Sequence, residues 1–293
     1  DYHIWQRLAV FGYLAAVALS VAVMLFGREI NGSKRWLALG PFSFQPSEFA
    51  KVALILFLAD LVTKNVKTIG KMWTLCRIMF WILPIVGLVG ASNLSTAIII
   101  LGIGVILIFV ASPKYAQFAL MGIAGACFMG IFLALESYRL ERLAIWRNPE
   151  KYEKGYQTLQ GLYAIGSGGV FGVGIGNSVQ KLGFVPEAQN DMIFSIICEE
   201  LGLAGAGIIV FLFLLLIWRF FLIASGSRDL FGALIATGAM AHMMIQVILN
   251  IAVVTNTIPN TGITLPFISY GGTSVMFLLI EMGLVLSVSQ VVD

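Results

Sequence analysis

The sequence predicts an all-α polytopic membrane protein with about eight spans. Of its 293 residues, 59% are hydrophobic and only 11% are charged, whereas soluble domains carry about 25% charged residues. The mean hydropathy is +0.94. The apolar runs are continuous, which favours helices because a transmembrane strand alternates apolar and polar residues. Lipid must therefore solvate much of this surface.

The elements follow from the apolar runs, because a helix needs about 20 residues to cross a bilayer. The second and third predicted spans are short and need flanking residues, whereas the sixth is long enough to tilt or to begin outside the bilayer. The predicted spans are Leu8–Phe26, Phe49–Val62, Ile78–Gly90, Leu94–Ala111, Tyr115–Leu135, Met192–Leu222, Leu230–Val254 and Ser274–Val291.

The positive charges predict the orientation of these spans. One side collects eight Lys and Arg residues, against three in the short loops opposite, and such an excess marks the cytoplasmic side. The long loop adds six more to the opposite side, but they are mixed with Glu and a long loop is weak evidence for orientation. We expect both chain ends in the cytoplasm and the long loop, residues 136–190, outside.

No repeat or linker divides the chain, which predicts one membrane domain over residues 1–293. The net charge of +3 and the lack of a basic, aromatic-rich run exclude nucleic acid as a partner.

Some polar residues interrupt the apolar spans, where they usually face a partner or a cavity. Glu48 and Lys51 are three residues apart and can pair on one helix face. A second group recurs every four residues, which gives one stripe that more often packs helices together than binds a substrate. The stripe consists of Gly238, His242, Gln246 and Asn250.

Asp191 stands immediately before an apolar helix. A carboxylate at this position is commonly an N-cap. Alternatively, it is a functional acid at the membrane surface, because Ser195 and Glu199 follow on the same helix face and supply a second acid one or two turns deeper. The spacing alone leaves both interpretations open.

Three further segments have unusual composition. The glycine-rich run 166–176 resembles a dinucleotide fingerprint only superficially, because no βαβ pattern surrounds it. Prolines and glycines interrupt residues 259–272, which predicts non-helical backbone that lines a cavity or is buried in protein. Tyr138–Lys154 mixes basic and apolar residues and is typical of an interfacial amphipathic helix.

These pieces resemble the SEDS family of bacterial cell-wall proteins, which includes FtsW and RodA. The resemblance spans essentially the whole chain, and its nine motifs occur in order. They are Asn31–Trp36, Gln45–Lys51, Leu94–Ala97, Tyr138–Arg142, Gly155–Gln157, Ala164–Gly169, Gly176–Lys181, Asp191–Gly202 and Pro259–Ser274. The amino-acid sequence of the last motif is more similar to the FtsW branch, including its sporulation relative, than to RodA.

The resemblance implies a SEDS helical bundle of ten spans, of which this sequence matches the third to the tenth. We therefore expect the first two spans to be absent from it. One departure is Ser92-Asn93, where many members carry Pro-Asp. An acid at that position is not available here.

The resemblance also implies an activity. SEDS proteins are peptidoglycan glycosyltransferases that polymerise lipid II, release undecaprenyl diphosphate and work in the bacterial plasma membrane with a class B penicillin-binding protein and other divisome membrane proteins. The family's catalytic aspartate falls on Asp191. A divalent cation, Mg²⁺ or Mn²⁺, could assist, but no ligand cluster identifies one. The expected substrate-binding residues are Arg35, Glu48, Lys51, Arg139, Arg142, Lys181, Glu187 and Ser269.

Two other functions are compatible with the same residues. A lipid II flippase would use similar intramembrane charges, although transporter sites usually lie near the bilayer midplane and Asp191 is expected at the outer surface. A non-enzymatic division scaffold would explain the helix-packing stripe but not the charged loop.

Overall fold

A computed structural model describes residues 1–30, 33–39, 42–112, 114–119, 122 and 143–290 of the chain. Most of the described residues are helical, and three short strands lie near the N-terminal end. The elements are α1 (His3–Phe26), β1 (Arg28–Ile30), β2 (Ser33–Leu39), β3 (Phe42–Phe44), α2 (Pro46–Asn65), α3 (Met72–Ser92), α4 (Leu94–Ala111), α5 (Tyr156–Gly168), α6 (Ile193–Gly226), α7 (Leu230–Val254) and α8 (Gly272–Ser289).

The helices confirm the prediction of an α-helical polytopic membrane protein. Six described helices are long and apolar enough to cross a membrane: α1, α3, α4, α6, α7 and α8. The two spans predicted to be short are extended by their flanks, and α2 and α3 have 20 and 21 residues. The predicted span Tyr115–Leu135 lies mostly outside the described residues. Large apolar side chains such as Phe26 and Phe80 are exposed on these helices, as lipid-facing surfaces require.

A small antiparallel sheet joins α1 to α2, in the order β1-β2-β3. The prediction of an all-α chain missed these strands. Gly27 ends α1 because it adopts an extended conformation while its N–H still bonds to Val23. β1 and β3 have three residues each, which is too short for an alternating pattern, and the polar and apolar residues of β2 are grouped rather than alternating, so the sequence gives no strand signal.

The predicted interfacial helix Tyr138–Lys154 is shorter than predicted, because its described part is α-helical only over residues 143–147. Residues 143–147 are helical, but Asn148 leaves the helical conformation and two short 3₁₀ turns follow, Pro149–Lys151 and Glu153–Gly155. Proline lacks an N–H and disfavours the helical conformation of the residue before it, so the helix ends before Pro149. Residues 138–142 lie outside the described residues.

Helix α6 contains a break at Gly202, whose φ of 67° and ψ of −171° are not helical. The 34 residues of α6 are therefore two helices in series, a short one that begins just after Asp191 and a long one that follows Gly202. The sixth predicted span, Met192–Leu222, is longer than a bilayer requires because it covers both of these helices.

The contacts of the chain group into two compact units. The first contains Asp1–Tyr115, Ile217–Ile245 and Gly271–Asp293, and the second contains Ala116–Leu216 and Gln246–Tyr270. In the first unit, α1 packs against α2, and α3 against α4. The predicted acid Asp191 belongs to the second unit, and the Glu48–Lys51 pair belongs to the first.

Candidate functional site

The backbone around Asp191 is held by its carbonyl groups. Three consecutive carbonyls, those of residues 189 to 191, accept hydrogen bonds from the Tyr270 N–H at 2.8 Å, from Ser269 Oγ at 2.6 Å and from Asn250 Nδ2 at 2.9 Å. The donors come from α7 and from the non-helical segment that follows it. Because each carbonyl is engaged, the backbone of this short segment has little freedom to rotate, which fixes the position of the Asp191 Cα atom.

The non-helical segment 255–271 confirms the prediction that prolines and glycines interrupt this region. Phe267 adopts a φ of 62°, which is a costly conformation for a bulky residue, of the order of 1–3 kcal/mol. Ser269 Oγ also accepts a hydrogen bond from the Leu265 N–H at 2.7 Å, which closes a tight turn around Phe267. The strained turn thus brings Ser269 and Tyr270 against the Asp191 segment.

The carboxylate of Asp191 is almost enclosed, with 9% of the residue exposed. Gln157 Nε2 approaches Oδ1 at 3.4 Å, and the Asn260 amide in turn donates to Gln157 Oε1 at 2.9 Å. A Cβ atom at Gly262 would lie 3.6 Å from Oδ2, so glycine there leaves open space beside the carboxylate. The acid is therefore oriented by an amide chain and has one uncrowded side.

Burial raises the pKa of Asp191 from its ordinary value of 3.8 to about 6. The negative charge of Glu187 acts in the same direction, while the main-chain N–H groups of Asp191 and Met192 partly oppose it. Those amides belong to the helix start, so the carboxylate has some of the N-cap character that the sequence suggested. An acid with a pKa near neutrality can exchange a proton under physiological conditions.

Glu199, which the spacing suggested as a second acid behind Asp191, has its described hydrogen bonds with other residues. Its carboxylate accepts hydrogen bonds from Ser178 Oγ at 2.5 Å and from the Val179 N–H at 3.2 Å. Ser195, the residue between them on the predicted face, donates to the Met192 carbonyl at 2.7 Å. Glu199 therefore fastens the loop that leads to Asp191 onto α6.

The remaining predicted residues of the second unit have different surroundings. Glu187 is exposed, has a φ of 54° and is hydrogen-bonded by Asn190. Lys181 pairs with Glu200 at 2.6 Å and is about one-third exposed. Ser269 lies against the Asp191 segment, as described above. Arg139 and Arg142 lie outside the described residues.

The first unit contains a buried group of charges. Lys51 Nζ lies 3.0 Å from Glu48 Oε1, and both side chains are buried, as their spacing predicted. His242 Nδ1 lies 2.8 Å from Glu281 Oε2, with both side chains 2% exposed. His242 also acts electrostatically on Glu48, so the two pairs form one cluster contributed by α2, α7 and α8.

Arg35, the other predicted cation of the first unit, lies on β2. Its Nε donates to the Ser92 carbonyl at 3.0 Å, at the end of α3. The side chain lines a small cleft together with Ser47 and Asn93. Asn93, the position at which the resemblance led us to expect an acid, lines the same cleft as Arg35.

The polar stripe of α7 does pack helices together, as the sequence favoured, and it also serves the site. Gly238 faces Ile55 so closely that a Cβ would lie 2.5 Å from it, while Gln246 donates to the Thr264 carbonyl at 3.0 Å. Asn250 holds both the Asp191 carbonyl and that of Ile263, at 2.9 and 2.6 Å. Sequence reasoning missed this role, and that of Gln157, although a polar side chain in an apolar helix was a usable signal for Asn250.

No three His, Cys, Asp or Glu side chains are grouped to hold a metal ion within the described parts of the chain. The groups around the Asp191 carboxylate are the Gln157 amide, which approaches it at 3.4 Å, and the negative charge of Glu187. Among the residues that the structure describes, these groups do not by themselves identify a divalent-cation site.

Comparisons with known proteins agree with this architecture. The family model for cell cycle proteins of the FtsW, RodA and SpoVE group matches residues 1–293. The chain is 40% identical to stage V sporulation protein E of Bacillus subtilis, over 99% of this chain and 81% of that protein. It is 37% identical to a probable peptidoglycan glycosyltransferase FtsW of Coxiella burnetii, over 98% and 79% of the two chains.

Solved structures show the same fold. A chain from a peptidoglycan synthase complex that coordinates polymerization and crosslinking matches with a TM-score of 0.86 and 30% identity, over 98% of this chain and 82% of that one. The rod shape determining protein RodA of Thermus thermophilus matches with a TM-score of 0.72 and 29% identity, over 99% and 80% of the two chains. The chain belongs to the FtsW/RodA/SpoVE family of multi-pass membrane proteins.

Proposed function

We propose that this protein is a peptidoglycan glycosyltransferase that polymerises lipid II, with Asp191 as the general base. The relatives named as such enzymes support the class of reaction. The observation that carries the assignment of the base is the buried, firmly held carboxylate of Asp191 with a pKa of about 6. A base is most effective when its pKa lies near the working pH.

The reaction requires the protein to accept a proton and to stabilise the leaving group. A sugar hydroxyl attacks the anomeric carbon of a second sugar, the bond to the diphosphate breaks, and the hydroxyl proton passes to a base. Asp191 is suited to accept that proton. Negative charge develops on the departing undecaprenyl diphosphate, and cations stabilise it. We assign that role to Arg35, Lys51, Arg139, Arg142 and Lys181, with Glu48, Glu187 and Ser269 completing the substrate-binding set.

The proposal includes the cellular setting. The chain ends lie in the cytoplasm and the long loop lies outside, so that Asp191 meets the sugars while the prenyl chain stays in the bilayer. The similarity to a chain of a peptidoglycan synthase complex supports a class B penicillin-binding protein as partner, and we place the activity in division. The position of Asp191 before α6, rather than within a span, favours an enzyme over a flippase.

The test is lipid II polymerisation by the purified full-length protein together with its class B penicillin-binding protein. Glycan strands on a gel are the expected product. Liposomes with fluorescent lipid II report translocation in parallel. Translocation of head groups without any polymer would overturn the proposal in favour of the flippase, and neither activity would favour the scaffold.

The pKa of Asp191 predicts the acid limb of the rate profile. At saturating lipid II, the polymerisation rate should fall about tenfold per pH unit below about pH 6, because the protonated carboxyl cannot accept the hydroxyl proton. Its raised pKa means that the folded protein binds this proton more tightly than the unfolded chain does, so protonating Asp191 adds stability. Unfolding through this group therefore cannot cause the loss. A rate that stays flat down to about pH 4, near the ordinary pKa of aspartate, would contradict the assignment.

A further inference from the structure

The segment Gly169–Phe184, which precedes Asp191, is unusually apolar for a loop. It exposes Phe171 by 84%, Ile175 by 80% and Leu182 by 74%. Val170, Val173, Val179 and Phe184 are also exposed. Lys181 is the one charged residue in this stretch of sequence. So many large apolar side chains exposed on one segment, whose only described helical part is the 3₁₀ turn Gln180–Leu182, would be unfavourable in water.

The backbone of this segment is paired with α6 at its break. The N–H groups of Val173 and Gly174 donate to the carbonyls of residues 199 and 200, at 2.9 and 3.0 Å. In return, the N–H groups of Leu203 and Ala204 donate to the carbonyls of residues 169 and 170, at 2.9 and 3.0 Å. The segment therefore satisfies the amides that the break in α6 exposes.

Two glycines make this pairing possible. Gly172 and Gly202 have φ values of 78° and 67°. A Cβ at Gly172 would lie 2.2 Å from the carbonyl oxygen of Glu200, and one at Gly202 would lie 2.4 Å from the Gly172 nitrogen. The two backbones are thus in direct contact. Non-helical backbone can enter an apolar layer only when it is paired in this way.

The positions of the charged residues in α6 indicate how deep the segment Gly169–Phe184 lies in the membrane. Glu200 and Arg219 bracket 18 uncharged residues, Leu201–Trp218. At about 1.5 Å per residue they span about 27 Å, which is close to the roughly 30 Å hydrocarbon core of a bilayer. The break at Gly202 therefore lies at one boundary of the hydrocarbon layer, and the paired segment lies at the same level.

We propose that the segment Gly169–Phe184 is an interfacial membrane anchor, whose apolar side chains insert among the lipids of the leaflet next to the break in α6. Its apolar surface continues onto α6 through Leu203 and Ile208, which are 71% and 60% exposed on a helix suited to cross a membrane. Lys181 directs its ammonium to Glu200 and can remain at the head-group level. The anchor does not depend on the chemistry proposed above, but it holds the residues that lead to Asp191 at the membrane surface.

The test is the accessibility of spin labels in the full-length protein, reconstituted in nanodiscs of phosphatidylethanolamine and phosphatidylglycerol. Labels are attached to Phe171→Cys and Ile175→Cys in a background without the native cysteines Cys76, Cys127 and Cys198. The lipid-facing control is Ile208→Cys, and the water-facing control is Glu153→Cys, an exposed residue of the same unit.

Both labels should collide with oxygen far more often than with a water-soluble nickel chelate, by a ratio several-fold above that of the Glu153 control and similar to that of Ile208. A ratio like that of the Glu153 control would overturn the anchor. Labels that neither reagent reaches would also overturn it, because they would place this surface against protein. The labelled side chains are exposed, so their replacement should not disturb folding, whereas Cys198 of the background is buried. The thermal unfolding of the cysteine-free parent and of each labelled variant therefore checks that they fold.

Discussion

Replacing Asp191 by asparagine is expected to reduce lipid II polymerisation by about 10²–10⁴ without destabilising the protein. Asparagine has the same shape, and its oxygen can still accept from Gln157, which approaches Asp191 Oδ1 at 3.4 Å. It cannot accept a proton at neutral pH. Polymerisation rate and thermal unfolding of the same preparation measure the two effects.

The stability of this variant is expected to rise. A pKa of about 6 in place of 3.8 means that the ionised carboxylate costs the folded state about 3 kcal/mol at neutral pH. A neutral side chain removes that cost. A gain of stability together with a loss of activity is the signature of a group that is retained for function rather than for folding.

Asp60→Asn is a matched control for this prediction. Asp60 is also buried, but it pairs with Lys64 at 2.6 Å and accepts from Gln6 at 3.0 Å. Its neutralisation should lower stability, because Lys64 loses its charged acceptor even though the asparagine oxygen can still accept from Gln6, and the folded fraction should keep its activity. An Asp191→Asn protein that makes glycan strands at the wild-type rate would disprove the role of this residue.

The helices could be predicted from the sequence because a continuous apolar run that crosses a lipid bilayer satisfies its backbone hydrogen bonds as a helix. The break in α6 could not be predicted, although the glycine at position 202 is visible in the sequence. Its cause is the pairing with residues 169–174, more than 25 residues away, and sequence patterns carry no such information. The same limit hid the strands β1 to β3, whose pairing rather than composition defines them.

The candidate site divides in a similar way. The Glu48–Lys51 pair was predicted because both residues lie on one helix face, where spacing determines contact. Asp191 was selected through family resemblance, since spacing alone left an N-cap equally reasonable. Asn250 and Gln157 reach Asp191 across 59 and 34 residues. Such contacts depend on the tertiary fold, so their roles could not be derived from the pattern of α7 or α5.

Lys51→Met is expected to destabilise the protein by about 3–5 kcal/mol, because it leaves a buried carboxylate without its partner. Lys51 is 2% exposed and lies 3.0 Å from Glu48, so water cannot replace it. The matched control is Lys64→Met on the same helix. The Lys64 side chain is 63% exposed, so solvent can reach the space that it leaves and the cost should be smaller. Thermal unfolding compares the two variants.

Loss of activity in Lys51→Met would therefore not separate substrate binding from folding. The double variant Glu48→Leu with Lys51→Met does, because replacing both members of a buried pair by apolar residues is often neutral for stability. If the ammonium stabilises the leaving diphosphate, the double variant should fold like wild type and still polymerise lipid II about 10²–10³ times more slowly. A double variant with wild-type activity as well as wild-type stability would instead show that the Glu48–Lys51 pair is structural. Lys51 would then not be a substrate-binding residue.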